Sequence, residues 1–484
     1  ELKLIDGIPI NISVGMPFLF RGIKILNIIV KYVKNIQYGE LIMYTSRCIM
    51  NLKKMSNMSK IFNEEFAMNI KRDKYLNDLI NRMHNGMIKV VTGIRRCGKS
   101  YLIFTIFKNY LLEQGVDEKH IISIELDQRK DKKYRDPDTI LDYIESSIVD
   151  EGQYYVLLDE VQLLEEFEEV LNSLLHIKNV DVYVTGSNSK FLSKDVITEF
   201  RGRGDEIHIY PLTFKEFMQV YEGDIYHGWA EYVIYGGLPL TVTMKTDEQK
   251  INYLTKLFEE TYLKDIIERH HIEKSQELED LVNILASAIG SLTNVPKIEA
   301  TFRSVVQSNI SGNTIRQYIE YLEDAFVINK ANRYNVKGRK YIGTPLKYYF
   351  EDVGLRNARL GFRQIEENHI MENIVYNELH SRGYSVDVGV VEKRGINSEG
   401  KTERTYLEID FIANFGSKRY YIQSAFSMPT EEKRMQEKAS LVNVNYSFKK
   451  IILVKDVMNV TRDEDGITTM SIYDFLMKEN SLEL

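Results

Sequence analysis

A glycine-rich segment, GIRRCGKS (93–100), constrains the fold of this chain more than any other feature of its sequence. The apolar stretch before it, IKVVT (88–92), predicts a buried strand, and the amphipathic stretch after it, YLIFTIFKNYLLEQG (101–115), predicts a helix that ends at Gly115. Gly-x-x-x-x-Gly-Lys-Ser between a strand and a helix is typical of a phosphate-binding loop, because its glycines let backbone N–H groups point inward at an anion. The segment therefore predicts a P-loop nucleotide-binding domain of the α/β class.

The loop and the residue that follows it are predicted to bind ATP together with Mg²⁺. Lys99 places a positive charge at the β- and γ-phosphates, and Ser100 offers its hydroxyl to the metal ion. The residues expected to contact the nucleotide are Gly93, Ile94, Arg95, Arg96, Cys97, Gly98, Lys99, Ser100 and Tyr101.

A second acidic element, YYVLLDE (154–160), supports the same function. Its apolar residues predict a buried strand that carries Asp159 to the Mg²⁺ site. Glu160 is then placed to polarise the attacking water as a general base. A strand that ends in a solvated acidic pair is the alternative, but the complete P-loop earlier in the chain favours the catalytic interpretation.

Two polar segments further along the chain are candidates for sensing or stabilising the γ-phosphate. Ser187 and Asn188 follow the predicted strand VDVYVT (180–185), where they could orient water or cap a helix. Arg201 and Arg203 lie beside glycines. Arginine suits stabilisation of phosphoryl charge in a neighbouring subunit, because its charge is permanent and its fork is bidentate. A surface loop held by salt bridges remains the alternative.

The remaining pattern divides the chain into several units. Five apolar strands that alternate with helices predict a parallel sheet covered on both faces: 88–92, 121–126, 154–158, 180–185 and 206–212. The predicted units are an amino-terminal extension of unclear role (1–66), the P-loop core (67–212), a helical lid (213–275), a winged-helix-like unit (276–350) and a carboxyl-terminal α/β unit (351–484).

Residues 276–350 show three predicted helices followed by a hairpin that turns at Lys337-Gly338, which is the pattern of a winged helix. The segment 330–349 is basic and interleaved with tyrosines, which favours contact with a DNA backbone. Its cationic residues are Lys330, Arg333, Lys337, Arg339, Lys340 and Lys347. Glu320, Glu323 and Asp324 on the third helix would be repelled by DNA, so a plain packing role is the alternative.

The carboxyl-terminal unit resembles the PD-(D/E)XK nuclease core, which holds Mg²⁺ with carboxylates from a helix and two strands and positions water with a lysine. Glu372 or Glu378 could supply the helical acid, and Glu408 and Asp410 share a strand. The chain has Gln423-Ser424-Ala425 where the pattern has Glu-x-Lys, and Lys433 is a distant substitute. The sequence therefore favours a nuclease-like fold used for binding over active cleavage.

Taken together, five motifs resemble the bacterial and archaeal AAA+-type ATPases that carry a carboxyl-terminal domain of unknown function (DUF4143). They are GIRRCGKS, YYVLLDE, VYVTGSNSKFL, FRGRGDEIHIYPL and YGGLPL, and the resemblance covers about residues 69–480. It implies a five-stranded core with a central P-loop strand, a small lid that starts at 236–239, and nucleotide near a subunit interface of a homo-oligomer. It also makes Ser187 and Asn188 sensor candidates, and Arg201 and Arg203 arginine-finger candidates.

Composition limits the remaining possibilities. The net charge of −7 excludes a global basic field, and two cysteines imply no disulfide framework, which fits a reducing cytoplasm. Charged residues interrupt the apolar stretch 17–33, so no membrane span or signal peptide is predicted. Three hypotheses remain: an ATPase whose nucleotide state controls domains acting on DNA, a STAND-type switch with a protein partner, and an ATP-dependent nuclease.

Overall fold

The computed structural model describes residues 70–186, 202–396, 402–456 and 459–484. The predicted extension 1–66 lies outside these residues, as do Ser187, Asn188 and Arg201.

A five-stranded parallel sheet forms the first layer of the fold, as the sequence predicts. Its strands are β1 (Ile88–Thr92), β2 (Ile121–Glu125), β3 (Tyr154–Asp159), β4 (Val180–Thr185) and β5 (Gly204–His208). The order is β2-β3-β4-β1-β5, so β4 is the middle strand. The expectation of a central P-loop strand is therefore wrong, although β1 still has a hydrogen-bonded neighbour on each side.

Helices cover both faces of this sheet. They are α1 (Asp73–Asn81), α2 (Lys99–Tyr101, π-helical Leu102–Phe107 and Lys108–Glu113), α3 (Pro137–Ser147) and α4 (Phe167–Leu174). Residues of α1 and α2 pack on one face, and residues of α3 and α4 pack on the other in a separate apolar cluster. Asp136 caps α3 by accepting a hydrogen bond from the backbone N–H of Thr139, and Pro137 occupies the first turn.

The region after β5 is helical, as predicted. It contains α5 (Phe214–Phe217), α6 (Ile225–Tyr235), α7 (Pro239–Val242) and the long helix α8 (Asp247–Leu257, π-helical Phe258–Leu263 and Lys264–Arg269). Trp229 on α6 and Leu254 on α8 are buried in the same apolar cluster as α1 and α2. The lid and the sheet therefore share one core.

Three helices and a hairpin follow, and they confirm the predicted succession of elements. They are α9 (Ser275–Ser287), α10 (Val295–Thr301 with π-helical Phe302–Val306), α11 (Gly312–Asp324), β6 (Ile328–Asn335) and β7 (Lys340–Phe350). However, β6 pairs in parallel with a strand of the next unit, with Arg333 opposite Val388. A division at residue 350 would cut through one sheet. A two-stranded hairpin is marginal alone, which is a physical reason for this pairing.

That larger sheet has eight strands in the order β12-β13-β11-β10-β9-β8-β6-β7. The strands beyond the hairpin are β8 (Ser385–Ile396), β9 (Thr402–Phe415), β10 (Lys418–Ala425), β11 (Lys449–Val454), β12 (Thr461–Arg462) and β13 (Ile467–Ser471). The accompanying helices are α12 (Val353–Arg359), α13 (Glu367–Ser381), α14 (Glu431–Val442) and α15 (Ile472–Met477). Across the described residues, none of the helices combines the length and apolarity needed to cross a bilayer.

Candidate nucleotide-binding site

The P-loop connects the carboxyl end of β1 to the first turn of α2. Gly93 and Gly98 both have positive φ, at 136° and 104°. A Cβ on Gly93 would lie 2.2 Å from the carbonyl oxygen of Ile209, so a larger residue cannot fit there. These two glycines give the backbone the conformation that the sequence motif requires.

Lys99 is buried inside the loop. Its ammonium donates hydrogen bonds to the carbonyl oxygens of Gly93, at 2.8 Å, and Ile94, at 2.9 Å. The charge is thus held against the loop backbone by the residues that form the phosphate cradle. The predicted role of Lys99 is compatible with this position, because a phosphate in the cradle would replace those carbonyls as its partner.

Ser100 and Asp159 meet at the same end of the sheet. The Ser100 hydroxyl donates to Oδ1 of Asp159 at 3.0 Å. Burial raises the pKa of Asp159, and hydrogen bonds from Thr185 and Ser100 oppose that rise. Because β1 and β3 are parallel, the loop after β1 and the last residue of β3 necessarily face one edge. The two side chains predicted for the metal are therefore brought together.

This pair of oxygen ligands fits Mg²⁺. Among the described residues, no cluster of three or more His, Cys, Asp or Glu side chains could hold a metal ion. Mg²⁺ commonly binds through one or two protein oxygens, with substrate phosphates and water completing its shell. A hydroxyl and a buried carboxylate beside a phosphate cradle match that requirement.

Thr185 is a further candidate site residue, to which the sequence motifs give no role. It ends β4, and its hydroxyl donates to Oδ1 of Asp159 while accepting the backbone N–H of Glu160 at 3.0 Å. Glu160 has a positive φ of 49°, and its carboxylate accepts a hydrogen bond from Gln162. The sequence does contain a signal for Thr185. It ends β4, which pairs in parallel with β3, so it lies beside Asp159 at the end of β3.

Arg203 lies at the opposite end of β1 from the P-loop. Its carbonyl oxygen accepts the backbone N–H of Ile88, the first residue of β1. A strand of five residues separates that point from the loop, a span of roughly 17 Å. Arg203 is exposed there, so the geometry gives it no role in the nucleotide site of its own chain.

Side chains from the start of the core and from the lid brace the loop. Buried Arg72 donates to the carbonyl oxygens of Cys97, at 3.2 Å, and Tyr210, at 2.7 Å. On the other side, Tyr262 of the lid donates to the carbonyl oxygen of Arg95 at 2.7 Å. Arg95 also forms a salt bridge with Asp265 of the lid at 3.1 Å. The shape of the loop is therefore coupled to the position of α8.

Comparison with known proteins agrees with this site. The profile of the AAA domain family matches residues 85–218, and the profile of a domain of unknown function (DUF8612) matches residues 226–366. An uncharacterized protein of Haemophilus influenzae is 32% identical over 415 residues, which cover 84% of this chain and 99% of that protein. The chain belongs to a family of AAA-domain proteins.

Two further similarities concern this AAA-domain protein. Uncharacterized protein MJ1544 of Methanocaldococcus jannaschii is 26% identical over 464 residues, covering 90% of this chain and 96% of that protein. Among solved structures, the Walker-type ATPase PABY2304 of Pyrococcus abyssi aligns with 60% of this chain and 96% of its own, at 14% identity and a TM-score of 0.44. In the region after the AAA domain the matching profile is DUF8612, while a relation to DUF4143 stays an expectation.

The segment 236–239 connects the AAA domain to the rest of the chain. A Cβ on Gly237 would lie 2.2 Å from the carbonyl oxygen of Leu212, and a Cβ on Gly236 would lie 2.4 Å from the carboxylate of Asp352. Asp352 accepts the backbone N–H of Gly237 at 2.8 Å. Burial raises the pKa of Asp352 to about 6, although three backbone N–H donors oppose that rise. The turn therefore contacts the end of the core at Leu212 and the start of α12 at Asp352, and it leads directly into α7 of the lid.

Three of the acids considered for a nuclease-like centre surround an unexpected lysine. Lys347 of β7 is 3% exposed, and its ammonium lies 2.8 Å from Glu372, 2.8 Å from Glu408 and 3.7 Å from Asp410. Burial raises the pKa of Asp410, and these neighbouring carboxylates raise the pKa of Lys347 against the effect of its burial. We refer to these four residues as the Lys347 cluster.

Other predictions for this region are corrected by the geometry. Glu378 pairs with Arg382 at 2.7 Å instead of joining the cluster, and Lys433 pairs with Glu437 on its own helix. The sequence predicts Lys347 as part of a basic wing, but the last residues of β7, from Lys347 onward, are buried although β7 is an edge strand of the eight-stranded sheet. The surface basic segment is therefore shorter than the sequence indicated.

Proposed function

We propose that this AAA-domain protein binds ATP with Mg²⁺ and hydrolyses it to ADP and phosphate. The observation that carries the proposal is the meeting of Ser100 and Asp159, 3.0 Å apart, beside the P-loop that encloses Lys99. A hydroxyl, a carboxylate and an ammonium at one edge of a parallel sheet suit a metal-bound triphosphate. The AAA-domain match over residues 85–218 supports the same assignment.

Each residue then has a distinct task. The loop amides and Lys99 hold the phosphates, while Ser100 and Asp159 hold the metal ion, directly or through water. Mg²⁺, when bound, would neutralise charge on the β- and γ-phosphates. Glu160 would accept the proton of the attacking water. The Thr185 hydroxyl would fix the position of Glu160 relative to Asp159, because it hydrogen-bonds to both residues.

The test is the rate of ATP hydrolysis by the purified protein, wild type beside Glu160→Gln and Lys99→Ala. We expect Mg²⁺-dependent turnover that Glu160→Gln lowers by about 10²- to 10⁴-fold, which is the usual contribution of a general base. Glu160→Gln should still bind ATP, whereas Lys99→Ala should lose nucleotide affinity. Unchanged turnover in Glu160→Gln would overturn the assignment of the base.

We also propose that Arg203 or Arg201 acts in the site of a neighbouring copy of this chain. The position of Arg203, a full strand length from its own P-loop, supports action in trans over action in cis. Such an arrangement requires a homo-oligomer. Mixing Arg203→Ala with Lys99→Ala would restore part of the activity only if the two residues belong to one composite site.

For the macromolecular partner we propose nucleic acid, contacted through the eight-stranded sheet. The support is the exposed basic turn between β6 and β7, which carries Lys337 and Arg339 and leads into the exposed Lys340 of β7. Because Lys347 already pairs with the candidate nuclease acids and no Glu-x-Lys occurs at 423–425, we propose binding without cleavage. ATPase rates that ignore added DNA would favour the alternative, a switch triggered by a protein partner.

A further inference from the structure

A cleft with a cavity of about 580 Å³ opens at one end of the eight-stranded sheet. Three segments line it: the β6–β7 turn, the β9–β10 turn and the loop between α14 and β11. We call it the sheet-end cleft. Its volume lies within the roughly 300–1,000 Å³ typical of ligand pockets, which suits one or two nucleotides better than a duplex.

The sheet-end cleft is positively charged although the protein carries a net charge of −7. Arg339, Lys418 and Arg419 line it, and none of its described lining residues is acidic. Glu483 pairs with Lys418 at 2.6 Å from outside this lining. The remaining guanidinium groups keep a permanent charge, which matches the phosphates of a nucleic acid backbone.

Aromatic rings alternate with these cations. The guanidinium carbon of Arg419 lies 5.7 Å from the ring centre of Tyr334 and 5.4 Å from that of Phe448. Arg339 lies 5.6 Å from the ring centre of Tyr446 and donates to its hydroxyl at 3.2 Å. The arginines are thus held in place by ring faces before any ligand arrives.

Further aromatic surface is available for stacking. Phe448 is 40% exposed, and Phe415, next to the cleft residue Asn414, is 56% exposed. Covering an exposed phenylalanine with a partner is favourable, because apolar surface is removed from water. Proteins that bind single strands combine such rings, which stack on unpaired bases, with cations that follow the backbone. A duplex would hide its base faces, and an acidic peptide would leave the rings without a function.

We propose that the sheet-end cleft binds single-stranded nucleic acid, with Arg339 and Arg419 on phosphates and Phe448 stacked on a base. This proposal rests on nucleic acid being the partner proposed above. The proposed contact surface includes less of the basic segment 330–349 than the sequence predicts, because only Tyr334, Val336 and Arg339 of that segment line the cleft. The occupied surface is then formed mainly by the carboxyl-terminal sheet and its loops.

The test is fluorescence anisotropy of the full chain, without nucleotide, against a labelled oligo-dT, an RNA strand of equal length, a DNA duplex and a poly-glutamate peptide. Wild type should bind a single strand in a salt-sensitive manner. Arg339→Glu should weaken binding at least tenfold and reduce the salt slope by about one. Phe448→Ala should weaken binding while leaving the salt slope unchanged.

Arg303→Glu, an equal charge reversal on an exposed residue of α10, is the matched control and should bind like wild type. Thermal melting of each variant checks folding. Single-strand affinity that neither cleft variant changes would overturn the cleft proposal, as would a preference for the peptide. Tight duplex binding that neither Arg339→Glu nor Phe448→Ala changes would overturn the cleft proposal. Nucleic acid would then remain the proposed partner. If the wild-type protein binds no nucleic acid, both the cleft proposal and the proposal of a nucleic acid partner are overturned. The proposed ATPase activity is tested separately and would not be affected.

Discussion

At the scale of single residues, the buried Lys347 shows how far local sequence context can mislead. Its neighbours in the chain are basic and aromatic, and this pattern predicts a surface that meets DNA. The folded chain instead places it among Glu372, Glu408 and Asp410, which lie at least 25 positions away. The residue pattern of β7 alone cannot reveal these partners, because they belong to α13 and β9.

Replacing Lys347 with Met should destabilise the protein by about 1–3 kcal/mol, because the substitution leaves the partly buried carboxylates of Glu372 and Glu408 without their counterion. Urea denaturation measures the loss. Combining Lys347→Met with Glu408→Gln should recover part of it, since one of the orphaned charges is removed. Equal stability of Lys347→Met and wild type would show that the cluster is well solvated.

Asp410 should make stability depend on pH. Its pKa is raised in the folded state, mainly by burial, so the folded chain holds a proton that the unfolded chain releases near pH 3.9. The folded state therefore binds more protons, and its stability falls as pH rises from that value through the raised pKa. Urea titrations across this range should show the fall in wild type and a flatter profile in Asp410→Asn.

Thr185 should contribute strongly to turnover, although the sequence motif that contains it gives it no role. Thr185→Val keeps the shape but removes the hydroxyl that bonds Asp159 and the backbone of Glu160. We expect the hydrolysis rate to fall by about 10- to 100-fold, the equivalent of a lost hydrogen bond to a charged group. Thr185→Ser keeps the hydroxyl and should retain most activity; a loss in Thr185→Ser as large as in Thr185→Val would contradict the role.

At the scale of elements, the sequence predicted the strands and helices around the P-loop and the meeting of Ser100 with Asp159. A strand, a loop and a helix in succession define the P-loop, and parallel strand ends must share one edge. Pairing between distant strands was not predictable, so the parallel contact of β6 with β8 was missed. The short strands β12 and β13 and helix α15 were also missed, because such brief segments carry little periodicity.

The turn at 236–239 should tolerate no added side chain. Gly237→Ala would place a Cβ 2.2 Å from the Leu212 carbonyl oxygen, so we expect a lower melting temperature or loss of soluble protein. Gly343→Ala on β7 is the matched control, because nothing lies within 4 Å of a Cβ there and it should leave the melting temperature unchanged. Equal melting of both variants would mean that the backbone yields at little cost.

At the scale of the whole molecule, one apolar cluster links the P-loop core, the lid and the carboxyl-terminal sheet. It includes Phe107 behind the P-loop, Trp229 in the lid and Phe411 in β9. The predicted units are therefore successive parts of a continuous body over the described residues. Sequence segmentation could not show this, because each unit has a well-formed pattern of its own.

Truncation after Phe350 should consequently fail to give a folded protein. It would remove the strand that pairs with β6 and the carboxylate of Asp352 that holds the Gly237 turn. We expect the fragment to be insoluble or to melt without cooperativity, as judged by circular dichroism. A fragment that melts cooperatively near the temperature of the full chain would show that the core and lid are independent.

The close meeting of Gly236, Gly237 and Gly354 also has a consequence for descent. Backbone approaches backbone there, with a Cβ on Gly354 falling 2.1 Å from the Tyr235 carbonyl oxygen. At Gly237 and Gly354 a substitution cannot be absorbed by a rotamer change, because the nearest opposing atoms belong to the main chain. Proteins that diverge from this chain should therefore retain these glycines. Substitutions and insertions should accumulate elsewhere, for example around the sheet-end cleft, where they would change which ligand is bound.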